Sequence, residues 1–202
     1  MGVVEHEAPS RKAPRPREEV MEAILNAAED LLSSEGIEQV TLRQIAEKAG
    51  VQHGLITRHF GTKQELLREV IERGVRDALT EVRSQEGALD GAMALMRYFE
   101  AHPAPIRVTA QASINGLNPK VAMSRFPNVA EMLRRLEDEG RDLEEAKVIA
   151  ALCNAFTMGV VLLRPWMLAS TAIEGDEEEA YFDAAVQLAL KTLMELQLPS
   201  AD

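Results

Sequence analysis

The sequence has one cysteine, Cys153, in 202 residues. That excludes an internal disulfide framework and suits a reducing compartment, so a cytoplasmic protein is expected. Aromatic residues make up only 4%, and strand-like alternation of apolar and polar residues is hard to find. Long apolar runs are missing too. The most apolar stretch, VIAALCNAFTMGVVLL at 148–163, is interrupted by Asn154 and Thr157. It is shorter than the ~20 residues a membrane span requires, so it reads as a buried helix and no membrane partner is expected. The opening MGVVEHEAPSRKAPRPREE places charges where a secretory signal needs an apolar core. His6 stands where myristoylation needs Ser or Thr. No phosphate-binding glycine loop, metal-spaced His/Cys cluster or serine elbow occurs, so no metal and no cofactor is expected.

What is present is an ordinary globular balance, 46% hydrophobic and 27% charged. The length allows one or two domains with a full core. Plentiful Ala, Leu, Glu, Val and Met predict an all-α fold. The net charge is -11, but its distribution is uneven. Residues 39–76 sum to +3, through Arg43, Lys48, Arg58, Lys63, Arg68, Arg73 and Arg76, while residues 77–202 sum to -9. Arg11, Lys12, Arg15 and Arg17 add more positive charge at the front. Local distribution is a better guide to a binding face than overall charge.

Apolar residues at Val20, Ile24, Ala28, Leu31 and Leu32 form one helical stripe over 17–35, with Gly36 expected as a left-handed cap. Thr41 and Gln44 have capping-box spacing and open a short helix with Leu42, Ile45, Ala46 and Ala49 inside; Gly50 ends it. A third helix is expected from Val51, with Ile56 and Phe60 inward, up to Gly61. Thr62 and Glu65 form a second capping box, opening a long helix through Leu66, Val70, Val75, Leu79 and Val82. Small residues midway, Gly74 and Ala78, are expected to let this helix bend.

Two short helices joined at Ala49-Gly50-Val51, braced before and after, have the pattern of a helix-turn-helix. Gln52, His53, Leu55, Thr57 and Arg58 are then left outward. Such a helix, with flanking cations, suits a DNA major groove. Gly54 permits close approach there. His59 is expected to pack beneath it.

The segment ILNAAEDLLSSEGIEQVTLRQIAEKAGVQHGLITRHFGTKQELLREVIE, 24–72, resembles the DNA-binding domain of the TetR family of transcriptional repressors. The pattern runs through Ala27, Gly36, Thr41, Ile45-Ala46, Ala49-Gly50-Val51, Gly54, His59-Phe60 and Lys63-x-Glu65-x-Leu67. The resemblance implies that Thr41 binds phosphate and Arg43 reaches a base edge. It implies that Gln52 and His53 read bases, that Leu55 and Thr57 touch backbone or a thymine methyl, and that Lys63 pairs with phosphate. Gln52 stands where the family usually has Ser or Thr, and Thr57 where it often has Tyr. The domain layout expected is a basic arm, 1–16, disordered alone; a helix-turn-helix DNA-binding domain, 17–61; a connecting helix, 62–84; and a helical effector-binding and dimerisation domain, 85–202.

Within that last region helices are expected at 88–101, 106–115, 128–139, 144–168 and 177–196, with Pro103, Pro105, Pro119, Pro127 and Gly175 near breaks. The fourth of these is apolar nearly all round, so burial on more than one side is expected. The last carries Ala184-Ala185, Leu188, Ala189, Leu193 and Leu196, which suits close packing in a homodimer. A palindromic double-stranded DNA operator then follows from the two-fold axis. The resemblance also implies a small-molecule effector, expected to be apolar. Met93, Met96, Phe99, Asn154, Phe156, Met158 and Trp166 are candidate pocket residues, weighed against plain core. An enzyme built on Cys153 and His102 is disfavoured, because the apolar run around Cys153 opposes a thiolate. An architectural DNA-coating protein is disfavoured by the acidic net charge.

Overall fold

The computed structural model describes residues 15–35, 37–116 and 126–197. Among them are nine helices and no strand. In chain order they are α1 (Arg17–Ser34), α2 (Leu42–Ala49), α3 (His53–Phe60), α4 (Lys63–Arg83), α5 (Gly87–Ala101), α6 (Ala104–Ile114), α7 (Pro127–Asp138), α8 (Leu143–Thr171) and α9 (Asp176–Met194). Arg11 and Lys12 of the basic arm, Gly36 and Pro119 lie outside the described residues.

Local chemistry sets most of the boundaries. Thr41 Oγ1 accepts the Gln44 N–H at 3.3 Å, and the Thr41 N–H donates to Gln44 Oε1 at 2.8 Å. Thr62 and Glu65 repeat the arrangement at the start of α4, with distances of 3.2 and 2.8 Å. Each box satisfies two of the N–H groups a helix start leaves without partners. Gly50 ends α2 in the left-handed region, at φ 64°, which few other residues adopt cheaply. Asp142 caps α8 by accepting from both Glu144 and Glu145. Pro127 fits α7 as its first residue, where the missing N–H costs nothing. Pro105 does not break a helix; it sits in the first turn of α6.

Two apolar cores result. The first joins α1 to α4 with parts of α5 and α6, around Ile24, Leu32, Ile45, Ile56, Leu66 and Val70. The second joins α5, α7, α8 and α9, around Ala92, Met132, Leu136, Ile149 and Leu190. The long α4 runs past the first core toward the second. Its middle corrects one expectation. Gly74 and Ala78 are buried, and a Cβ at Gly74 would lie 2.3 Å from Cγ of Pro105. Gly74 is there for close approach of α4 and α6, not for bending.

A second correction concerns α8. Its inner face is buried through Ala146, Ile149, Cys153, Thr157 and Val160. Its outer face is not: Val148, Leu152, Leu163 and Trp166 are exposed. The same holds for Tyr181 and Leu188 on α9. The helix is buried on one side only within the single chain.

Candidate nucleic-acid interface

α2 and α3 are each eight residues long and lean on α1 and α4. Ile45 and Ala46 fix α2, and Ile56 and Phe60 fix α3. That leaves Thr41, Arg43, Gln52, His53, Gly54, Thr57 and Arg58 exposed on adjoining turns. α3 begins at His53 rather than Val51. Gln52 occupies the N-cap and makes no side-chain cap bond, as a poor capping residue should. Val51 packs half-buried on the first core. Leu55 departs from expectation in the same way: it is half-buried against that core, so only part of it faces out. His59 is half-buried, consistent with packing beneath the helix.

Lys63 is engaged differently from what the motif implies. Its Nζ donates to the carbonyl of Ile37 at 2.6 Å, tying the start of α4 to the turn after α1. Burial holds its ammonium below the usual lysine range, partly offset by Glu38. An ammonium has three donors, so two N–H bonds stay available. Two further ties brace the unit. Lys48 of α2 pairs with Asp30 of α1 at 3.3 Å. Arg73 of α4 reaches Glu29 through Nε at 3.1 Å and Asn26 through Nη1 at 2.7 Å, both on α1. Sequence reading missed Arg73 as a brace, since nothing local marks a partner 44 residues away.

Farther along the chain, α5, α7 and α8 enclose a narrow cleft of about 20 Å³, room for little more than one water. Of the expected pocket residues only Asn154 lines it. Met96 and Phe99 are buried core, and Met93, Phe156 and Met158 pack half-buried on the cores. Trp166 is 76% exposed on the outer face of α8, away from this cleft. Cys153 does line it, and burial pushes its thiol up to about 11. His102 belongs to a different groove, beside α1, so the two cannot act as nucleophile and base.

Residues 24–70 match the family model described as "Bacterial regulatory proteins, tetR family". The HTH-type transcriptional repressor Rv3405c of Mycobacterium tuberculosis (strain H37Rv) is 35% identical over 170 residues, 83% of this chain and 87% of that protein. Among solved structures, BioQ with its double-stranded DNA operator superposes with a TM-score of 0.53 at 18% identity, covering 87% of this chain and 95% of that one. A TetR variant from Acinetobacter baumannii AYE in complex with minocycline superposes with a TM-score of 0.61 at 23% identity, covering 86% and 93%. Those two likenesses establish the fold, and the matched segment spans the helices built above, from within α1 to within α4. The chain belongs to the TetR family of helix-turn-helix transcriptional regulators.

Proposed function

We propose that the protein is a repressor that binds a palindromic operator as a homodimer and is released from it by a small uncharged molecule. The observation that carries the DNA-binding part is the exposed row on α2 and α3. These helices bury almost nothing polar, and their free side chains are of the kind that read base edges and phosphates. In this reading Arg43, Gln52 and His53 face bases. Thr41, Thr57, Arg58 and the free donors of Lys63 face the backbone, and Leu55 offers only its outer edge. The relative Rv3405c, named a repressor, and the BioQ complex with its operator support the same assignment.

Dimerisation rests on the outer face of α8 and α9. Val148, Leu152, Leu163 and Trp166 recur at helical spacing, and Tyr181 and Leu188 lie 79% and 65% exposed on α9. Soluble chains rarely leave such a stripe to water, and two copies of this helix pair make a four-helix interface. An isologous interface then places two α3 helices one turn of DNA apart, ~34–36 Å.

The effector part rests on the cleft. Val129, Met132 and Ala150 give it apolar walls, while Asn128, Asn154 and Thr157 give hydrogen bonds without charge. The fitting ligand is apolar with one or two neutral polar groups, and it must widen the cleft to enter.

Selection of bound fragments from random DNA tests the proposal, followed by titration against the selected and scrambled duplexes. Arg43→Ala is expected to lose ~1–3 kcal/mol on the selected duplex and little on the scrambled one. Lys63→Ala is expected to weaken both alike and to lower the salt slope by about one. Equal losses on both duplexes for Arg43→Ala would remove its base-reading role.

A further inference from the structure

We propose that Arg135 is a positioning residue that links the C-terminal cleft to the far end of α4, through α7. The proposal rests on the effector reading given above. Arg135 is the one charged residue buried among those described, 7% exposed. Its guanidinium grips the α4–α5 junction. Nη2 donates to the carbonyl of Val82 at 2.8 Å, and Nη1 to those of Gln85 and Gly87 at 2.9 and 2.7 Å. Val82 lies in the last turn of α4, where its carbonyl also takes the Gln85 N–H at 3.1 Å and the helix dipole favours a cation. Nε donates to Glu131 at 2.9 Å, which fixes the plane of the fork. Gly91 makes room for it: a Cβ there would lie 3.2 Å from Nη1. Four residues beyond Arg135, Glu139 accepts the N–H of Ala88 at 2.6 Å, near the start of α5.

The same helix also walls the cleft. Asn128, Val129 and Met132 of α7 line it, and Met132 is one turn from Arg135. The cleft holds little more than a water, so an occupant must displace a wall. If α7 moves, its four bonds to the α4–α5 junction carry the end of α4 with it. Lys63, at the other end of α4, is tied to the turn that precedes α2. The route from cleft to reading helix is thus α7, Arg135, α4.

Cys153, the sole cysteine, lines the cleft and supplies the test without a known effector. Treatment of the full-length protein with methyl methanethiosulfonate, driven to completion by intact mass, places a thiomethyl group there. Operator affinity is measured by anisotropy on the selected duplex, with and without the adduct. The adduct is expected to weaken unsubstituted protein about tenfold and Arg135→Met by less than about twofold. A merely structural Arg135 predicts a lower melting temperature with an unchanged ratio between adduct and free protein, and that result overturns the proposal. Should Arg135→Met not fold, Arg135→Lys keeps the charge but lacks the fork, and the same loss of ratio is expected. If the adduct leaves unsubstituted protein unchanged, the effector reading fails and takes this link with it. If unsubstituted protein and Arg135→Met respond alike, only the link fails.

Discussion

α2 and α3 are eight residues each, expose nearly every polar side chain they carry, and bury two residues apiece. α8 has 29 residues and is apolar on both faces, yet one of those faces lies open. The front of the chain is held by local devices, capping boxes and a left-handed glycine, and by ion pairs that reach back to α1 from α2 and α4. The rear is held by area, and part of that area has no cover in the single chain. Local devices fix a shape whose surface is free to recognise something. Area alone leaves an apolar face exposed, the face proposed above for a second copy.

This contrast can be broken from either side. Trp166→Glu combined with Leu188→Glu places two charges on the open face. We expect about 4 kcal/mol or more of lost association, a monomer in sedimentation equilibrium, and unchanged helix content by circular dichroism. Loss of helix content instead would mean the face supports the single chain. Phe60→Ala attacks the front, where the ring closes α3 onto the first core. A loss of ~3–5 kcal/mol in urea unfolding is expected, with sedimentation behaviour unchanged. Gly74→Ala probes the seam between α4 and α6 within the first core. The new methyl meets Pro105, and about 1–3 kcal/mol of stability should go, unlike the neutral outcome a flexible glycine would give. The capping boxes come last. Thr41→Ala and Thr62→Ala should each cost ~1 kcal/mol in thermal melts, and their effects should add, since the boxes share no partner.

The same contrast explains what was legible in the sequence. Boxes and caps announce helix ends, so the observed bounds of α4 to α9 lie within two residues of the expected ones, except that α8 runs on to Thr171 where an end at 168 was expected. Exposure of Gln52, His53, Thr57 and Arg58 followed from the inward spacing of Ile56 and Phe60. Leu55 did not follow, because a helix on a curved core can tuck in a third side chain. Lys63 to Ile37, Arg73 to Glu29 and Arg135 to Val82 span 26, 44 and 53 residues, and no local pattern encodes such pairs. Trp166 was misplaced for another reason. An apolar helix face predicts burial but not whose surface buries it.

The contact between Gly74 and Pro105 carries a consequence for how the protein can change over generations. The spacing of α4 and α6 is set by atoms that are missing from one residue and rigid in the other. Neither position is free to drift alone. A relative with a side chain at the place of Gly74 is expected to carry something smaller or more pliant than proline opposite it. The pair is expected to change together, and grafting one half into a homologue without the other should separate the two helices.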